Sequence, residues 1–167
     1  MSEKRLAIDG LELNYKGLFD IHDLLKEIDK VTSAKGYVKE EKRRAETVRP
    51  EGKEFSMELR PIKQKTEYEA LMIKMRINIT NMKDVEVVMD NVKTKLNEGN
   101  INIIFDAWTT TDYEFRWEKK PLYWLLRNIF DRVIYKFHTD KYMSELIDDC
   151  HFIHNNIKSH LELYRFV

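Results

Sequence analysis

In successive segments from Phe55 to Ala107 the apolar residues fall at every second position, and this period of two constrains the fold more than any other feature of the chain. Phe55, Met57 and Leu59 alternate with Glu54, Ser56, Glu58 and Arg60, while Leu71, Ile73, Met75, Ile77 and Ile79 alternate with Met72, Lys74, Arg76 and Asn78. Neighbouring side chains of a strand point to opposite faces, so each segment reads as a strand with one buried and one wet face. Val85, Val87 and Met89 precede a turn at Asp90-Asn91, and Ile101, Ile103, Phe105 and Ala107 follow a second turn expected at Asn97-Glu98-Gly99-Asn100. Strands separated by turn residues, with no helical period between them, predict an antiparallel meander of about five strands after the first helix.

Helical spacing flanks this block. Residues 5–18 read as extended, with Asp9-Gly10 as either a hairpin turn or a bulge. Asp20 then caps a helix with a stripe of Ile21, Leu24, Leu25, Ile28 and Val31, ended near Gly36, and Phe19 with Leu24 fits a hydrophobic staple. Towards the C-terminus Pro121 suits a first helical turn, followed by the stripe Leu122, Leu125, Leu126, Ile129, Val133 and Phe137. A second stripe of Tyr142, Leu146, Cys150, Ile153, Ile157, Leu161 and Tyr164 follows, with a break expected at Thr139 or Asp140. The predicted fold is a single α+β domain over residues 1–167. It consists of an antiparallel sheet of about five to seven strands, one N-terminal helix, and a long C-terminal helix or helix pair. This element order resembles the helix-grip architecture, in which a curved sheet wraps a long helix and often encloses an apolar cavity; two helices on a flatter sheet satisfy the same pattern.

The 167 residues suit one core, and a 43% apolar share beside 35% charged residues is a globular composition. Lys plus Arg and Asp plus Glu both number 29, so whole-chain charge names no partner. Cys150 alone permits no internal disulfide. Neither a signal-peptide pattern nor an apolar run of membrane-spanning length is present, and the expected compartment is the cytoplasm.

No residue constellation identifies a reaction, and the sequence assigns no catalytic residue, no metal and no cofactor. Asp148, Asp149, Cys150, His151 and His154 form the densest group of potential ligands, but Cys150 lies on the apolar stripe, where cysteine behaves as a small hydrophobe. The five glycines are scattered, which removes a phosphate-cradling loop. Three binding readings remain. Trp108, Trp117, Trp124, Arg127 and Tyr135 belong to an aromatic-rich stretch whose helical part turns Trp124 and Tyr135 away from the apolar stripe, a composition suited to a protein or ribonucleoprotein partner. Met57, Met75, Met89 and Phe105 supply an adaptable apolar interior suited to a small apolar ligand. Lys42, Arg43 and Arg44 centre a ribbon over residues 38–65 with an excess of three positive charges, suited to RNA or ribosome contact. The first reading, a non-enzymatic protein that binds another macromolecule, is the leading expectation.

At Gly17-Leu18-Phe19-Asp20, Thr111-Asp112-Tyr113, Trp117-Glu118-Lys119-Lys120-Pro121-Leu122-Tyr123 and Leu126-Arg127-Asn128-Ile129-Phe130-Asp131 the chain resembles an archaeal protein family of unknown function. The resemblance implies an archaeal cytoplasmic protein of one domain and supplies no activity, cofactor or site residue.

Overall fold

Alternation along the strands decides the architecture. The computed structural model describes residues 4–66, 69–89, 91–111 and 135–166. Their order is β1 (Lys4–Phe19), α1 (Ile21–Ala34), β2 (Glu41–Arg49), β3 (Gly52–Leu59), β4 (Ile62–Gln64), β5 (Glu69–Met89), β6 (Val92–Thr111) and α2 (Tyr135–Leu163), closed by a 3-10 turn over Tyr164–Phe166. The strands form one six-stranded antiparallel sheet in the order β1-β6-β5-β3-β2, with β4 also on β5.

The register lines up apolar residues in rows across the sheet. Tyr15, Ile101, Ile79 and Phe55 make one row, Leu13, Ile103, Ile77 and Met57 the next, and Leu11, Phe105, Met75 and Leu59 a third. All but Leu11 are buried, and they join Leu24, Ile28 and Val31 of α1 and Leu146, Cys150, Ile153, Ile157 and Leu161 of α2 in one core cluster. Both helices therefore cover the same face. The opposite face carries Asn14, Asn102, Asn78 and Ser56 in one row and Glu12, Ile104, Arg76 and Glu58 in another. An ion pair between Arg76 and Asp106 at 2.9 Å crosses it.

The start of α1 is built as its residues predict. Asp20 Oδ1 accepts from the backbone N–H groups of His22 at 2.8 Å and Asp23 at 3.1 Å, and the staple residues Phe19 and Leu24 are fully buried. Asp20→Ala is expected to lower the unfolding free energy by about 1 kcal/mol, the usual worth of an N-cap side chain, read as a lower midpoint in urea at unchanged slope.

Three local expectations resolve differently or more narrowly. Asp9-Gly10 is a bulge inside a continuous β1, with Gly10 at φ +67° and its N–H donating to Asp106 Oδ1 at 2.9 Å. Asn97-Glu98-Gly99-Asn100 is not a turn. β6 runs through it, opposite a bulge in β5 between Thr80 and Lys83 where Asn81 takes φ +54°. Gly99 is required there because a Cβ would lie 3.0 Å from the Thr80 carbonyl oxygen and 3.1 Å from Met82 Cα. The hairpin between β5 and β6 closes where Met89 pairs with Val92, Asn91 adopting φ +64° and Asp90 lying outside the described residues. Finally, Thr139 and Asp140 do not break the helix, since α2 spans 29 residues across them. Neither is a glycine or proline, and each costs only about 0.7 kcal/mol or less inside a helix, too little to stop one whose apolar stripe is docked. The stripe expected from Leu122 to Val133 lies outside the described residues.

Candidate functional site

Two groups of charged residues stand out on this scaffold, one half-buried and one on the rim. The half-buried group joins α2 to the strand side of the core. Lys63 Nζ donates to Glu145 Oε1 at 2.7 Å and to Asp149 Oδ2 at 3.1 Å, Lys65 Nζ donates to Glu145 Oε1 at 2.8 Å, and Lys35 Nζ lies 3.2 Å from Asp149 Oδ1. Tyr37 completes it, its hydroxyl donating to Asp149 Oδ2 at 3.2 Å beneath the Lys63 ammonium, which sits 5.3 Å from the ring centroid. The spacing makes this possible: Glu145 and Asp149 are one helical turn apart, and Lys63 and Lys65 are two residues apart at the end of β4.

Contacts inside the cluster shift three of its groups. Partial burial alone would raise the Glu145 carboxyl, but hydrogen bonds from Lys63 and Lys65 outweigh it and hold the group below the usual carboxylate range. Burial alone would lower Lys63, yet its hydrogen bonds to Glu145 and Asp149 raise it. Burial and the adjacent Asp149 carboxylate push the Tyr37 hydroxyl far above its ordinary value. A charged Lys63, an ionised Glu145 and a neutral Tyr37 phenol, gathered with Asp149, Lys35 and Lys65, make an electrostatic clamp between helix and sheet.

The rim group is β2. All nine of its residues are exposed, and among the described strands it pairs with β3 alone. Here the apolar rows end in charge: Glu46 lies beside Phe55 and Arg44 beside Met57. Arg44 rests its guanidinium 5.4 Å from the Phe55 ring centroid. Lys42 is ion-paired with Glu40, and Arg49 with Glu54 at 3.2 Å, but among the described residues Arg43, Arg44 and Glu46 have no oppositely charged partner. Arg44 and Glu46 also border an open cleft of about 350 Å³, shared with Lys53, Asp84 and the start of α1 at Asp20 and Ile21. A second cleft of about 450 Å³ is lined by Asn14, Lys16, Asn78, Asn100, Asn102 and Arg165, among others.

The residues singled out from the sequence are dispersed. Lys42, Arg43 and Arg44 do share β2, while Lys63 and Lys65 of the same basic segment belong to the clamp. Met57, Met75 and Phe105 are buried in the common core beneath α2, and neither cleft is lined by them. Met89 ends β5 at the hairpin turn, its side chain lying outside the described residues. Trp108 sits on the open face of β6, half-buried, with Lys4 Nζ 5.7 Å from its ring centroid. Trp117, Trp124 and Arg127 lie outside the described residues, as does the side chain of Tyr135, the first residue of α2.

Cys150 is fully buried among the core residues, and burial, with Asp106 and Asp149 adding to it, pushes its thiol up to about 12. His154 turns towards Phe105, ring centroids 5.6 Å apart, and places Nε2 3.2 Å from the Glu12 carbonyl oxygen. Among the described residues no three His, Cys, Asp or Glu side chains come together as metal ligands, and no helix is long and apolar enough to cross a membrane.

Sequence reasoning missed Tyr37, Lys35, Glu145 and the role of Asp149. The one signal available was the match between a carboxylate pair at helical spacing and a lysine pair at strand spacing. No protein-family model matches the chain, and no curated protein is similar to it.

Proposed function

We propose that the protein is a non-enzymatic binding protein that docks another polypeptide along the outer edge of β2. The observation that carries this reading is a nine-residue strand, exposed along its whole length, that among the described strands pairs on one side only. Such an edge presents a row of backbone N–H and C=O groups, the template for adding a strand from a partner. Arg43, Arg44 and Glu46, which have no ion-pair partner among the described residues, then select which partner strand fits.

The basic ribbon supports RNA less well. Lys42 and Arg49 are tied to carboxylates and Arg44 is laid over Phe55, which leaves few cations for phosphate.

Proline at two adjacent positions tests the reading. In an edge strand successive N–H groups alternate between the neighbour and solvent, so of Ala45→Pro and Glu46→Pro one removes an outward N–H and the other a bond to β3. The outward variant is expected to keep the native melting temperature and lose the partner mass in native mass spectrometry of protein isolated from its source. The inward one is expected to be destabilised. If the outward variant retains its partner, the β2 reading is wrong, and a bound mass of a few hundred daltons in its place would favour a small-molecule carrier.

A further inference from the structure

We infer that the occupant of the β2 edge is β2 of a second copy of this chain, paired antiparallel about a two-fold axis through Ala45, so that two six-stranded sheets become one. The inference rests on the docking-edge reading above and names its partner.

Symmetry and side-chain alternation restrict the choices. When a strand pairs with itself about an axis perpendicular to the sheet, paired residues must point to the same face, so one residue must sit opposite its own copy. The sequence Glu41-Lys42-Arg43-Arg44-Ala45-Glu46-Thr47-Val48-Arg49 then decides between registers. Centring on Arg43 or Arg44 sets arginine against arginine, and centring on Glu46 sets glutamate against glutamate. Thr47 at the axis sets Glu46 against Val48 and Ala45 against Arg49, and leaves Arg44 without a partner on the strand. With Ala45 at the axis, Arg44 of each copy faces Glu46 of the other and Arg43 faces Thr47; this regular pairing ends at the bulge in β2 between Glu41 and Arg43.

Both members of the decisive pair lack a counter-charge among the described residues, and Arg44 rests only on the Phe55 ring. Among the described residues neither Arg44 nor Glu46 has an ion-pair partner, although both stand on the helix-bearing face at the ends of the rows through Met57 and Phe55. Pairing two copies continues each apolar row through a Glu46 and Arg44 bridge into the partner's row. Opposite charges directly across a ladder stabilise it and like charges oppose it, and the symmetry applies the effect twice.

The test uses the full chain, in sedimentation equilibrium from nanomolar to millimolar concentration. The wild type is expected to reach twice its 20.2 kDa mass. Arg44→Glu sets Glu against Glu46, and Glu46→Arg sets Arg44 against Arg; each is expected to weaken association about tenfold or more while leaving the far-UV circular dichroism of the folded monomer unchanged. The double variant R44E/E46R restores both bridges with reversed polarity and is expected to recover wild-type association, which a nonspecific loss of surface charge would not do. Ala45→Cys is expected to give a disulfide-linked dimer under mild oxidation, because the two thiols meet at the axis and Cys150 is buried. Thr47→Cys is expected to give none, its copies lying about 13 Å apart along the strands. A wild type monomeric throughout overturns self-pairing. So does a dimer that is indifferent to the reversals and gives no Ala45→Cys link. In either case the docking-edge reading survives only if the outward proline variant still strips a different polypeptide from the native complex.

Discussion

Phe105→Ala is expected to lower the unfolding free energy by about 3–5 kcal/mol, the usual cost of emptying a fully buried aromatic site. Phe105 sits near the middle of the sheet, between Leu11 of β1 and Met75 of β5, and is wholly buried. The ring of His154 on α2 meets it edge-on, so the lost contacts belong to three strands and a helix at once. Strands held in a ladder cannot close a gap by sliding, which leaves the cavity largely uncollapsed. Phe105→Leu keeps most of the volume and should cost less than half as much. Urea titrations of the two variants check the ratio, and a Phe105→Ala penalty below about 1.5 kcal/mol would show that the interior repacks freely.

Asp149→Ala is expected to cost about 3 kcal/mol, towards the lower end for breaking a buried ion pair. The carboxylate is only 5% exposed, and its removal strips Lys35 and Lys63 of a counter-charge and Tyr37 of its acceptor. Lys35 and Lys63 still reach water in part, which holds the penalty down. The same cluster gives stability a pH dependence with two arms. The folded Glu145 carboxyl lies below its unfolded value, so its contribution is present above the unfolded value and is lost as pH falls through the folded one. Lys63 is raised, so its contribution is present below the unfolded lysine value and disappears as pH rises through the folded one. Urea midpoints across pH should therefore form a neutral plateau falling at both ends. Lys63→Met should flatten both arms, because it removes the raised lysine and one of the two donors that keep Glu145 low. A variant with the wild-type acid slope would count against the clamp.

What was legible in the sequence followed from chain-local geometry. The sheet faces could be read because alternation fixes them, and Leu71, Ile73, Met75, Ile77 and Ile79 all point into the core. Asp20 could be read as a cap because its partners lie two and three residues on. Asn97 to Asn100 misled because the same residues suit a turn and the strand opposite a bulge, and only the bulge in the facing β5 decides between them. The clamp was hidden because Lys63 meets Glu145 and Asp149 across 82 and 86 residues of chain. Lys42, Arg43 and Arg44 were visible as a basic patch. Their position on an outer strand depends on strand order, which periodicity does not encode.

The pairing of β1 with β6 joins Lys4 to Thr110 at one end and Phe19 to Asn97 at the other. On a ribosome adding about 5–20 residues per second, the first of these strands is finished on the order of 5–20 s before its partner emerges. Over that interval Leu13, Tyr15 and Phe19 have no sheet to join, while the β5–β6 hairpin, once made, closes locally. The nascent chain should thus be guarded longest at its leading strand, and a chaperone that shields extended apolar segments would find its binding site there.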